Sequence, residues 1–269
     1  MSPAVAPFAP ILVLSLGSLS YLLCGAWIER LRLAGVVAVA LVAAAMWVTL
    51  GLGDSTAASS YGVVVNSGTR LLALVACASA LVSIAVTSGS LERENIAMQS
   101  EYYYLLLTSL CGALIMVFAS DFLTLFIGVE VASLALYCLC GARITENKCA
   151  EASMKYFLLG CFSSAFLLYG IAMWYGVTGS LAMTPSGVAT SAAPMIALSF
   201  LMIFVGIGFK IGLAPFHFWV PDVYQGSPTS VTTFMGCVVK VAAVAALVKV
   251  VASSFGLSEM WAVGPLWLA

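Results

Sequence analysis

Charge is what this sequence has least of. Its 269 residues carry 10 basic and 11 acidic side chains, 8% of the chain, where an ordinary soluble domain carries about 25%. So few charges cannot solvate the surface of a globule this size, which excludes a soluble enzyme, a nucleic-acid binder and a disordered segment. The formal net charge of −1 suggests no electrostatic partner. Histidine occurs once, at His217. No phosphate-binding loop, dinucleotide glycine fingerprint, CxxC pair or Ser/His/Asp cluster is present. The eight cysteines sit mostly in apolar runs, where cysteine acts as a small hydrophobe, and Cys138-x-Cys140 lacks the spacing and second pair of a zinc or redox site. Metal binding and redox chemistry are therefore not expected in this chain, nor is a soluble small-molecule substrate. No Lys or Arg precedes Arg30, so the basic start of a secretory signal is missing and the first apolar run reads as a retained span.

What the chain has in abundance is apolar surface: 63% hydrophobic residues and a mean hydropathy of +1.12. A membrane span needs about 20 mostly apolar residues. Runs near 8–27, 34–53, 68–88, 102–119, 122–141, 152–174, 195–221 and 229–252 qualify, and Trp261 to Ala269 begins a ninth that stops short. The expected fold is thus all-α, a polytopic transmembrane bundle of about eight spans and a partial ninth. Basic residues Arg30, Arg32, Arg93, Arg143 and Lys148 fall in the first, third and fifth loops, with only Arg70 near an even one. That asymmetry puts the odd loops in the cytoplasm and the N-terminus outside. Trp27, Tyr102-Tyr103-Tyr104, Trp174-Tyr175 and Trp219 lie near predicted span ends, where an aromatic belt is expected.

Four charges fall inside spans where they cannot easily reach headgroups: Glu130, Lys155, Lys210 and Lys240. Each costs about 2.5–3.5 kcal/mol at a helix centre on insertion scales, and such residues usually face a bundle interior or water. Lys249, near the end of its span, is expected to snorkel. Gly208, Gly212 and Pro215 crowd around Lys210, with His217 just beyond. Pro215 lacks a backbone donor and clashes with the Ile211 carbonyl, so the seventh span is expected to break there. A broken helix is tolerated in a bilayer only where protein or a hydrated cavity surrounds it. A lysine beside such a break has the form of an ion or proton site at mid-membrane.

The stretches Phe126-Ile127-Gly128-Val129-Glu130-Val131-Ala132-Ser133-Leu134, Met154-Lys155-Tyr156-Phe157-Leu158-Leu159-Gly160 and Phe209 to Asp222 resemble signature helices of a family. It is that of the antiporter-like proton-translocating subunits, which includes membrane subunits of respiratory NADH:quinone oxidoreductase (complex I) and Mrp-type cation/proton antiporters. Within it, Pro221-Asp222-Val223-Tyr224-Gln225-Gly226-Ser227-Pro228-Thr229 resembles the subunit N branch. The resemblance runs from about residue 100 to 250; the first three spans fit by hydropathy and order alone.

The resemblance implies that Glu130 and Lys155 form the family's Glu–Lys pair, that Lys210 is the lysine of the broken helix with His217 beside the channel, and that Lys240 is the central lysine passing protons onward. It implies three segments: helices 1–3 over residues 1–101, a proton-translocating core of helices 4–8 over 102–252 (the first inverted repeat), and the start of a truncated second repeat over 253–269. The implied function is a translocase subunit of complex I in the cell inner membrane. It would move protons while partner membrane-arm and redox subunits, carrying NAD, FMN, iron–sulfur clusters and quinone, transfer the electrons. The alternatives are an Mrp-type antiporter subunit and a truncated, non-pumping scaffold.

Overall fold

Backbone amides cannot be left unpaired in hydrocarbon, so apolar runs of this length fold as helices, whose hydrogen bonds close within the segment. The computed structural model describes residues 5–25, 31–54, 61–94, 96, 99–183 and 192–255. Its helices are α1 (Ala9–Gly25), α2 (Leu31–Leu50), α3 (Ser67–Arg93), α4 (Gln99–Phe118), α5 (Phe122–Cys140), α6 (Asn147–Thr178) and α7 (Ala193–Ile211). There follow the short α8 (Val220–Gly226), α9 (Thr229–Phe234), a π-helical turn over Met235–Val239, and α10 (Lys240–Phe255). Among the described residues seven helices are long and apolar enough to cross a membrane, counting 229–252 as one, and the apolar stretch of α2 is an eighth, shorter candidate. The protein is a multi-span membrane protein. The expected partial ninth span, like Trp27 and Arg30, lies outside the described residues.

The bundle is built around α4, the most buried span, which packs against α1, α2, α3, α5 and α10. α6 and α7 form a second tight pair. Gly206 lies against Leu167 and the Ser163 carbonyl, leaving no room for a Cβ. Two serines stitch the same seam: Ser163 donates to the Gly206 carbonyl (3.0 Å) and Ser199 to the Gly170 carbonyl (2.7 Å). Small residues with a polar stitch are how membrane helices hold together where apolar contact alone gives no preference over lipid.

Several expectations from the sequence are corrected. Tyr102, Tyr103, Trp174 and Trp219 are buried, not belt residues; Tyr102 bonds Ser230 (2.5 Å) and Trp174 packs edge-on to Phe122 and Phe200. The sixth span starts at Asn147 and not near 152, which makes Lys148 and Glu151 helical. The seventh helix ends at Ile211, a turn before Pro215. Gly212 takes a left-handed conformation (φ 79°), and the Gly208 carbonyl accepts from both Gly212 and Leu213 amides (2.9 Å each). Glycine reaches that conformation without a Cβ penalty, so the cap forms there and the proline only forbids the helix from resuming.

Candidate functional site

Lys210 occupies the last turn of α7 and is 3% exposed. Its ammonium donates to the Tyr137 hydroxyl (3.2 Å) and lies over the faces of Tyr137, Tyr156 and Phe209, with centroid distances of 5.4, 5.7 and 5.7 Å. Trp219, beyond the break, stacks on Tyr156 and Phe209 (4.8 and 5.2 Å) and donates its indole N–H to the Phe209 carbonyl (3.0 Å). The break therefore folds back as the wall of the lysine's own pocket. No carboxylate forms an ion pair with Lys210 among the described residues. Cation–π contacts of this kind are worth about 0.5–2 kcal/mol each, and the negative end of the α7 dipole adds a similar amount. Together they are of the order of the insertion cost, so the cage can hold the cation without a counter-ion.

Glu130, in the middle of α5, accepts a hydrogen bond from the Ser164 hydroxyl and acts electrostatically on Lys210 and Tyr137. Lys155 is elsewhere. Its ammonium is held by Asp222 (2.6 Å) and Glu151 (2.7 Å), and it is 41% exposed. The geometry does not bring Glu130 and Lys155 together. Ser164 marks the level of Glu130 on α6, and Lys155 is nine residues nearer the loop, about 13 Å along the axis at 1.5 Å per residue. The same serine stitches put Lys210 level with about residue 159, between the two. Lys155 instead ties α6 to α8, the segment after the break.

His217 lies in the broken stretch with its side chain exposed. Lys240 is half-buried at the end of the π turn, over the ring of Tyr224 (5.6 Å). Trp219 meets Tyr224 edge-on (6.1 Å), so aromatic rings run unbroken from the Lys210 cage to Lys240. The Tyr224 hydroxyl is buried without a hydrogen-bond partner among the described residues. Gly208 presents its carbonyl to the cap and Pro215 is exposed in the break.

Sequence reasoning missed four features of this site. Tyr137 follows Glu130 by seven residues and Ser133 by four, and that helical period puts carboxylate, hydroxyl and phenol on one face of α5; this signal was available. Asp222 stands in a motif that carries the resemblance, and Glu151 lies one residue before the expected sixth span, neither with an assigned role. The π turn has no strong sequence signature, although π turns gather at functional sites. Arg143, counted only as a loop charge, and Glu94 form a linchpin. Arg143 approaches Glu94 (3.6 Å), pairs with Glu146 (3.1 Å) and donates to the Gly226 carbonyl (3.0 Å); Glu94 accepts from Ser90 (2.7 Å) and from the Thr229 amide at the start of α9 (3.2 Å). Among the described residues no three His, Cys, Asp or Glu side chains gather in a metal-binding group.

The chain resembles several known proteins. It is 36% identical over 256 residues to NADH-quinone oxidoreductase subunit N of Magnetococcus marinus, covering 92% of this chain and 53% of that protein. With the subunit N of Beutenbergia cavernae it shares 50% identity over 159 residues, 57% of this chain and 30% of the relative. Among solved structures it resembles a chain of respiratory complex I from Thermus thermophilus with bound aureothin (TM-score 0.76, 32% identity, 93% of this chain and 55% of that one). A chain of the Mrp complex from a Dietzia species shares the fold (TM-score 0.74, 22% identity, 96% and 50% covered). The chain spans about half the length of the relatives it matches. Residues 119–269, more than half of the sequence, match the family described as NADH:quinone oxidoreductase/Mrp antiporter, TM, and the chain belongs to that family.

Proposed function

We propose that this chain has the proton-handling role of a subunit N of proton-pumping NADH:quinone oxidoreductase. The observation that carries the reading is Lys210: a lysine 3% exposed, at a broken membrane helix, caged by aromatic rings with a carboxylate in electrostatic range but not in contact. A buried ammonium in that setting changes charge at small cost when a neighbouring charge moves, which is what a proton carrier needs. Identity of 36% to a subunit N, against 22% to the Mrp chain, favours this branch over an antiporter.

Glu130 sets the field at Lys210. Lys210 and Lys240 take up and release protons in turn, and the Trp219–Tyr224 wall lies between them. His217, in the open break, exchanges protons with water. Lys155, paired with Asp222, holds α8 in register and responds to charge arriving from the cytoplasmic side. Helices 4–8, over 102–252, act as the first repeat, following a separate segment of helices 1–3 over 1–101; residues 253–269 begin a second repeat. The N-terminus faces away from the cytoplasm, in a cell inner membrane. The structure groups the third and fifth loops, with Glu94, Arg143 and the α8–α9 joint, at one end of the bundle, which supports the common side assigned to Arg93, Arg143 and Lys148. Flavin, iron–sulfur clusters, NAD and quinone belong to partner subunits, and other membrane-arm subunits pack against this one.

The test is Lys210→Ala in the full-length subunit. Membrane vesicles carrying the variant complex are expected to lose NADH-driven proton uptake while the complex still assembles. Unchanged uptake would overturn the reading.

A further inference from the structure

Tyr137 is positioned with unusual care for a residue that only fills space. Its carbonyl accepts from Ser153 on α6 (2.7 Å), which fixes the backbone at this level. Its ring meets Tyr156 and Phe157 edge-on, with centroids 4.8 and 5.6 Å away. Its hydroxyl lies where a Cβ on Gly160 would stand, so any larger residue at 160 would collide with the phenol oxygen. The slot left by Gly160 delivers that oxygen to the Lys210 ammonium at 3.2 Å. Among the described residues it is the polar side-chain group that touches the lysine. On the same face of α5, towards Glu130, stands Ser133, whose hydroxyl donates to the Val129 carbonyl (2.5 Å) and whose oxygen can still accept.

We infer that Tyr137 is a proton-relay residue connecting Lys210 to the Glu130 side of the site, held in place by the Gly160 slot. The inference rests on the proposed pumping role of Lys210 and adds the group through which that lysine exchanges its proton. In one transfer the phenol oxygen takes the proton leaving the Lys210 ammonium and gives its own hydroxyl proton to the Ser133 oxygen, while the Ser133 hydroxyl turns from the Val129 carbonyl and passes its proton to the Glu130 carboxylate. The lysine becomes the neutral amine, the Glu130 carboxylate becomes the acid, and Tyr137 ends as the phenol it was. The reverse transfer reloads the lysine. No oxidant or reductant is needed, and neither a phenolate nor a doubly protonated phenol has to persist.

The experiment compares three variants of the full-length subunit in native membrane vesicles: Tyr137→Phe, Gly160→Ala and Lys210→Ala. NADH-driven proton uptake is divided by the amount of assembled complex, measured as NADH oxidation by a soluble acceptor that bypasses the membrane arm. Tyr137→Phe keeps the ring and its edge contacts and removes only the hydroxyl, so it is expected to lose most of the normalised uptake with assembly intact. Gly160→Ala keeps the hydroxyl but pushes it off the lysine, and is expected to lose uptake in the same way. If Lys210→Ala abolishes uptake but Tyr137→Phe leaves it at the wild-type level, the relay is wrong and the pumping role of Lys210 stands. If uptake in Tyr137→Phe falls only in proportion to assembly, the tyrosine is structural and the relay is again overturned. If Lys210→Ala also pumps normally, both readings fall.

Discussion

The two ends of the bundle are held by different forces. At one end the chain closes on its own backbone. Val64 donates to the Phe118 carbonyl (2.8 Å), Ser120 to Gly62 (2.8 Å) and Phe122 to Leu181 (3.0 Å), while Asn66 and Asp121 cap α3 and α5. Lys249 of α10 adds hydrogen bonds to the Val117 and Ala119 carbonyls at the end of α4. At the other end Arg143, Glu94 and Glu146, and separately Lys155, Glu151 and Asp222, hold helix ends together through charge. Backbone bonds are fixed once formed, whereas ion pairs answer to a neighbouring charge. The broken helix, the exposed His217 and the aromatic cage all lie towards the ionic end. The proposed proton site therefore lies towards the end built from groups that respond to charge.

The largest expected effect tests the ionic end directly. Arg143→Ala leaves Glu94 mostly buried without its cation and the Gly226 carbonyl without a donor. Removing one partner of a buried pair costs about 3–5 kcal/mol, and partial exposure brings this towards about 2–3. The amount of assembled subunit on native gels should fall sharply, and Arg143→Lys should recover only part of it, because a lysine cannot reach both partners with a fork. Wild-type levels of Arg143→Ala would mean that the ionic end is not what holds α8 and α9.

The backbone end should show a cost without a functional signature. Lys249→Met removes a cation that caps α4 and leaves its carbonyls unpaired, at about 1.5–3 kcal/mol for hydrogen bonds to a charged group. Thermal unfolding of the purified complex should show the subunit melting earlier, while proton uptake per assembled complex stays unchanged. A loss of uptake at full assembly would move Lys249 into the proton path and blur the contrast between the ends.

Much of this was legible in the sequence, and what was not has physical causes. Span positions follow from long apolar runs, because hydrocarbon leaves the backbone little alternative to helix. Lys210, Glu130 and Lys240 stood out because a charge among apolar residues is costly wherever the helix points. The partner of Lys155 was not legible. Which acid a lysine meets depends on helix depth, and depth was fixed by two things outside hydropathy: α6 starting at Asn147, and the Ser163 and Ser199 stitches setting its register against α7. For Lys249 the sequence points to headgroups, because snorkelling is the default for a lysine near a span end. The neighbouring carbonyls that claim it belong to a helix more than a hundred residues earlier. The break moved from proline to glycine because a cap is set by the residue that can adopt it, and not by the one that obstructs continuation.

A subtler effect is expected from Asp222→Asn. Glu151 remains on Lys155, so the cation keeps a partner and assembly should hold, but the ionic link from α6 to α8 is lost. Proton uptake should fall part of the way, and Asp222→Glu should restore it by replacing the carboxylate. If Asp222→Asn pumps normally, Lys155 needs only Glu151, and the tether to the broken helix has no role in turnover.

The smallest effect lies at the backbone end and tests whether charge matters there at all. Asp54 pairs with Arg70 (3.5 Å) and is 61% exposed, while Arg70 also donates to the Leu52 carbonyl (2.5 Å). Asp54→Asn removes the ion pair and leaves that backbone bond in place. An exposed pair of this kind contributes about 0–1 kcal/mol, and salt screens it within about 10 Å at ordinary ionic strength. The variant should unfold within error of the wild type, and raising the salt concentration should change the two equally. Should Asp54→Asn prove as damaging as Arg143→Ala, an exposed loop charge would be doing structural work at the end where backbone bonds already close the fold. The division between a rigid end and a responsive one would then have to be given up.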